Sequence, residues 1–150
     1  MKKILLILTF LIVGCGYQPI YLKTDEQIFK FSKILIQKED EISKKIVNLI
    51  SFTEDEADEN LNELVLNSSY EIIEAAKDSS GKVVSYRSKI LVNIKIMDKK
   101  ETIKERNFLD ESVYSTKENK FDLIQYQKQI QNNLIKKIVR DINIYLNLKW

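Results

Sequence analysis

The most constraining feature of the chain is the run at residues 82–97. There Val84, Tyr86, Ile90, Val92, Ile94 and Ile96 alternate with Ser85, Arg87, Lys89, Asn93 and Lys95. A period of two places the first set on one face of a β-strand and the second on the other. One face is therefore core, and the other is polar and basic, interrupted only by Leu91. Clean alternation of this kind suits an antiparallel sheet with one wetted face, not a parallel sheet buried on both sides.

The neighbouring segments extend that sheet. Residues 63–77 also read as a strand, and Asp78-Ser79-Ser80-Gly81 separates the two. Gly81 supplies the positive φ of a tight reversal, so the pair is a hairpin. Asp98-Lys99-Lys100-Glu101 makes a second turn into a strand at 102–115, whose pattern is less regular. A bulge near Asn107 accounts for the apparent change of parity. Residues 28–37, rich in Ile and Phe, read as one first strand.

Two helices complete the order. Acidic residues at 38–41 suit a helix N-terminus, and Ile42, Ile46, Leu49 and Ile50 follow at helical spacing. From 121 to 148 no Pro or Gly intervenes, while Leu123, Ile130, Leu134, Ile138, Ile142 and Tyr145 recur every three or four residues or a multiple of that spacing. Strand, helix, three strands, helix predicts an α+β domain: an antiparallel sheet of about four strands with two helices packed on one face.

The first residues have a different purpose. Lys2 and Lys3 precede an apolar stretch at 4–13, broken only by Thr9. This is the charged and then apolar order of an export signal, and at about ten residues it is half the roughly 20 that a membrane-spanning helix needs. It ends at Leu11-Ile12-Val13-Gly14-Cys15, which resembles the lipobox of bacterial lipoproteins. The resemblance implies alkylation of the Cys15 thiol by diacylglycerol, cleavage between Gly14 and Cys15, and acylation of the new amine. Gly16, where inner-membrane lipoproteins carry Asp, implies sorting to the outer membrane. The chain is thus read as a signal peptide at 1–14, a lipidated tether at 15–27 and a single domain at 28–150.

Composition bounds the function. Without Lys2 and Lys3 the basic count falls from 24 to 22, equal to the 22 acidic residues, so no global charge argues for nucleic acid. Cys15 is the only cysteine; once it carries lipid, no disulfide forms and stability comes from packing. The chain has no His, no Gly-rich phosphate loop and no G-x-S-x-G elbow. It is therefore expected to be a binding or assembly module and not an enzyme, with no metal or cofactor. The acidic run Glu54, Asp55, Glu56, Asp58 and Glu59 lacks the Gly and alternating oxygen ligands of a calcium loop and reads as solvated.

The residues after the lipobox carry a family resemblance. Cys15-Gly16-Tyr17-Gln18-Pro19-Ile20-Tyr21 resembles the mature start of the LPS-assembly lipoprotein LptE family, and the order of elements agrees along the mature chain. The acidic loop at 54–59 and the plain Asp110-Glu111-Ser112-Val113-Tyr114-Ser115 strand end depart from it. The resemblance implies an outer-membrane lipoprotein that partners the LptD β-barrel, assists its assembly and helps deliver lipopolysaccharide to the outer leaflet. Tyr17, Pro19 and Tyr21 would dock the tether on a partner or simply fix its direction. Arg87, Lys89 and Lys95, on one side of one strand, would contact lipopolysaccharide phosphates, the plainer reading being a solvated outer face. An accessory lipoprotein of another envelope transporter and an envelope enzyme remain as alternatives.

Overall fold

The computed structural model of the 150-residue chain describes residues 28–38, 41–58 and 60–149. The signal segment, Cys15 and the tether residues Tyr17, Pro19 and Tyr21 lie outside the described residues.

Among the described residues the elements are, in order, β1 (Phe29–Phe31), β2 (Lys33–Ile36), α1 (Glu41–Ile50), β3 (Phe52–Glu54), β4 (Glu63–Lys77), β5 (Val83–Asp98), β6 (Glu101–Ser115) and α2 (Lys120–Lys149). The main sheet has four strands in the order β2-β4-β5-β6, and both helices pack beside it in an α+β arrangement. β4, β5 and β6 are antiparallel, whereas β2 joins β4 in parallel, which the crossover through α1 permits.

The stretch at 28–37 is two strands instead of one. Phe29 and Phe31 pair through β1 with β3 in a small parallel sheet, and Ile34 and Ile36 pair through β2 with Leu64 and Leu66. Ser32 is the bend between them; its N–H donates to the Asn62 carbonyl at 2.9 Å. An extra residue between Phe31 and Ile34 resets the pleat, so Phe29, Phe31 and Ile34 all turn toward the core. Phe52 then meets Phe31 edge-on with ring centroids 5.5 Å apart.

On the inner face of β5, Ile90, Val92, Ile94 and Ile96 are essentially inaccessible to water, flanked by Leu64 and Leu66 of β4. From α2 come Leu134, Ile135, Ile138, Ile142 and Leu146, and from α1 Ile42, Ile46 and Ile50. Leu49 departs from the expected stripe: it is 46% exposed, while Ser43 on the buried side meets Ser68 of β4 through a 2.8 Å hydroxyl–hydroxyl hydrogen bond. The two helices touch where the Lys45 ammonium donates to Asn132 Oδ1 at 2.7 Å.

A hydroxyl chain crosses the inner face, Tyr70 Oη to Ser88 Oγ at 3.1 Å and Ser88 Oγ to Tyr114 Oη at 3.0 Å. It satisfies the fully buried Ser88. Burial pushes the Tyr70 phenol above its ordinary value, the Ser88 hydrogen bond opposes this, and Tyr114 reinforces it.

Each turn has a visible cause. Asp78 Oδ1 accepts from the Ser80 hydroxyl at 2.6 Å and from the Ser80 and Lys82 amides at 2.9 and 3.0 Å, while Gly81 takes a φ of 83°. The Ser80 hydroxyl above all holds the Asp78 carboxyl below its ordinary value. No heavy atom lies within 4 Å of a Cβ built on Gly81, so Gly81→Ala meets only backbone strain. It is expected to lower stability by about 1 kcal/mol, read from urea melts. Lys99 and Lys100 both take positive φ, 47° and 74°, the geometry of a two-residue hairpin turn. Asn119 caps α2, its Oδ1 accepting from the Phe121 amide at 2.8 Å.

The bulge falls at Ile103, not near Asn107. Lys104 pairs with Ile96 and Thr102 with Met97, which leaves Ile103 unmatched, whereas Asn107 sits in regular register opposite Asn93. The irregular look of β6 comes from its place at the sheet edge. Its inward residues include Arg106 and Asp110, whose charges are accommodated by α2: the Arg106 guanidinium lies 4.9 Å from the Tyr145 ring centroid, and Lys137 Nζ lies 3.4 Å from Asp110 Oδ2.

Candidate functional site

Among the described residues both helices pack on one side of the sheet and no element covers the other, and that open face is the candidate interaction surface. Along β5 it carries Ser85, Arg87, Lys89, Leu91, Asn93 and Lys95, the residues of the polar register. Arg87, Lys89 and Lys95 stand in one row on the outer face, as expected from the alternation.

The flanking strands change the electrostatics of this row. Arg87 Nη1 lies 3.7 Å from Glu111 Oε1, and Lys95 Nζ lies 3.3 Å from Glu105 Oε1. Lys89 is directly opposite Glu71 on β4 and Glu111 on β6. Each cation predicted from β5 alone therefore has an acidic neighbour supplied by an adjacent strand, and the face is a near-neutral cross-strand ladder. Asn93 extends it, its Nδ2 donating to Glu105 Oε1 at 2.8 Å and to Asn107 Oδ1 at 2.7 Å.

The Asn93 hydrogen bond first, and then Lys95, hold the Glu105 carboxyl below its ordinary value of 4.5. A depressed folded-state value means that this contribution is present above 4.5 and is lost as the pH falls through the depressed value. Glu105→Gln is accordingly expected to flatten the loss of stability between neutral pH and about pH 3, measured by urea melts at both ends.

Apolar side chains share the face. Leu91 is opposite Leu109, 37% and 57% exposed, and Ile73 and Val113 flank Arg87 at 47% and 55%. Apolar pairs between charged rows make a surface suited to a partner that is itself mixed and hydrated. Among the described residues no group of three His, Cys, Asp or Glu is placed to hold a metal, and the acidic loop is used structurally: Glu54 Oε1 accepts from the Ile34 amide at 2.6 Å, and Asp58 Oδ1 from the Asn60 amide at 3.0 Å.

Sequence reasoning found the basic row and missed its neutralisation. The missing signal was register: Glu71, Glu105 and Glu111 are visible in the sequence, but only the strand pairing sets them beside Lys89, Lys95 and Arg87.

No protein-family model matches the chain, and no curated protein matches it. Solved structures do. Rare lipoprotein B from Shewanella oneidensis superposes with a TM-score of 0.55 at 13% identity, covering 79% of this chain and 99% of that one. A minor lipoprotein from Acinetobacter baumannii gives 0.53 at 12% identity, covering 75% and 86%. Lipoprotein B from Nitrosomonas europaea gives 0.50 at 12% identity, covering 84% and 91%. At such identities the likeness establishes a shared fold: the chain has the α+β architecture of these lipoproteins over most of their length.

Proposed function

We propose that the chain is an outer-membrane lipoprotein, anchored through Cys15, that docks on an LptD-like β-barrel and assists both its assembly and the delivery of lipopolysaccharide to the outer leaflet. The observation that carries this reading is the lipobox-like Leu11-Ile12-Val13-Gly14-Cys15, followed at once by Gly16-Tyr17-Gln18-Pro19-Ile20-Tyr21, ahead of a domain that shares the fold of lipoproteins. In this reading the protein changes no bond.

The chemistry of the open sheet face supports docking more than it supports a dedicated anion site. A wide outer-membrane barrel has a polar, hydrated interior, and a near-neutral ladder interspersed with Leu91, Leu109 and Val113 suits it. Arg87 and Lys95 are engaged by Glu111 and Glu105, so a lipopolysaccharide phosphate would have to compete with those carboxylates. Lipopolysaccharide contact through Arg87, Lys89 and Lys95 is therefore secondary to docking.

Depletion of the protein tests the reading. Surface-exposed lipopolysaccharide and the amount of correctly folded barrel are expected to fall together. Unchanged levels of both on full depletion would eliminate the proposal.

A further inference from the structure

The edge of β6 borders a groove of about 420 Å³. Its β6 wall consists of four consecutive residues, Arg106 to Leu109, and its other wall is the last turns of α2, including Ile144, Tyr145 and Leu148. Consecutive residues of a strand point to opposite faces, so a cavity that touches all four opens onto the edge of the strand and not onto one face. β6 ends the sheet, and among the described residues no strand pairs with that edge.

Arg106 gives this edge its chemistry. Its guanidinium is stacked near Phe108 and Tyr145, 5.7 and 4.9 Å from their centroids, and among the described residues no carboxylate pairs with it. Asp141, also in the wall, is matched by Arg140 at 3.5 Å. Among the described residues the groove thus holds a ring-stacked cation with no carboxylate paired to it, beside exposed Leu109, Ile144 and Leu148. Edge strands left open are pairing templates, and an aromatic-braced guanidinium is preorganised for a carboxylate.

We propose that the β6 edge accepts an extended polypeptide segment from a partner protein, added as a fifth strand, with an Asp or Glu opposite Arg106 and apolar residues on either side of it. Geometry sets that order. A residue directly opposite Arg106 shares its inward face, the residues before and after it fall on the outward face opposite Glu105 and Asn107, and the next outward residue on the Asn107 side reaches Leu109. The site shares Leu109 with the open face, but its anchor is the inward-facing Arg106, so Arg106→Glu tests it without touching the open-face row of Arg87, Lys89 and Lys95.

The test uses the full chain in detergent micelles with a capped peptide, Thr-Val-Thr-Val-Glu-Val-Thr-Val, and a control in which Lys replaces Glu. Amide hydrogen exchange is expected to slow within residues 104–110 and not along β4, and the Glu peptide is expected to bind at least about tenfold tighter than the Lys peptide. Arg106→Glu is expected to reverse that preference. Should this variant fail to fold, Leu109→Lys at the exposed rim is expected to weaken the Glu peptide instead. Equal binding of the two peptides, no binding at millimolar concentration, or protection confined to β4 overturns the proposal. So does β6 protection that rises with protein concentration in the absence of peptide, which would make a second copy the occupant.

Discussion

Cys15→Ser is expected to abolish the proposed acylation and to remove the protein from the outer-membrane fraction. The expectation rests on chemistry: the thioether forms only on a thiol, and processing between Gly14 and the modified residue follows it. Each buried methylene contributes about 0.8 kcal/mol, and a single acyl chain anchors only marginally, so stable anchoring depends on the full set of chains. Among the described residues no helix is long and apolar enough to cross a membrane, so the domain as described offers no helical substitute for the lipid. Labelling with radioactive palmitate and fractionation of the envelope check this directly. Label retained on the Ser variant would show that the lipobox reading is wrong.

The second large effect lies in the core. Ile94 is 1% exposed, at the middle of the inner row of β5 between Val92 and Ile96. Ile94→Ala is expected to destabilise the domain by about 2–5 kcal/mol, combining lost transfer energy with a residual cavity. Thermal unfolding should shift down by roughly 10 °C, with an unchanged urea m-value if unfolding remains two-state. Leu109→Ala, one strand away on the outer face at 57% exposure, is the control and is expected to change stability by less than about 0.5 kcal/mol. Equal effects at the two positions would mean that the sheet faces have been assigned the wrong way round.

Much of the domain was legible in the sequence because its central strand alternates so regularly. Once Ile90, Val92, Ile94 and Ile96 define a buried face, the turns at Gly81 and at Lys99-Lys100 place β4 and β6 beside it. The bend at Ser32 is hidden because the β-branched and aromatic residues of 28–37 read as one continuous strand. The spacing of three from Phe31 to Ile34 is the trace it leaves, since a continuous strand would keep intervals of two. β6 misled for a different reason. Arg106 and Asp110 point inward yet are polar, because at a sheet edge a guanidinium can lie on an aromatic ring and a carboxylate can reach a helix lysine. Both responses are tertiary, and neither has a local sequence signature.

The basic row shows the same division. Its composition was readable from β5 alone, but its charge was not, because the carboxylates that neutralise it come from β4 and β6. The segment of Tyr17, Pro19 and Tyr21 lies outside the described residues, and substitution by Ala within the same purification scheme distinguishes a docking role from one that only sets the direction of the chain.

The most direct measurement is affinity purification of the lipidated full chain from detergent-solubilised envelopes, with mass spectrometry of whatever remains bound. A large outer-membrane β-barrel recovered in stoichiometric amount is the predicted result. Recovery of an inner-membrane transporter subunit, or of the protein with no partner, would contradict the barrel assignment and leave the fold to be explained by another function.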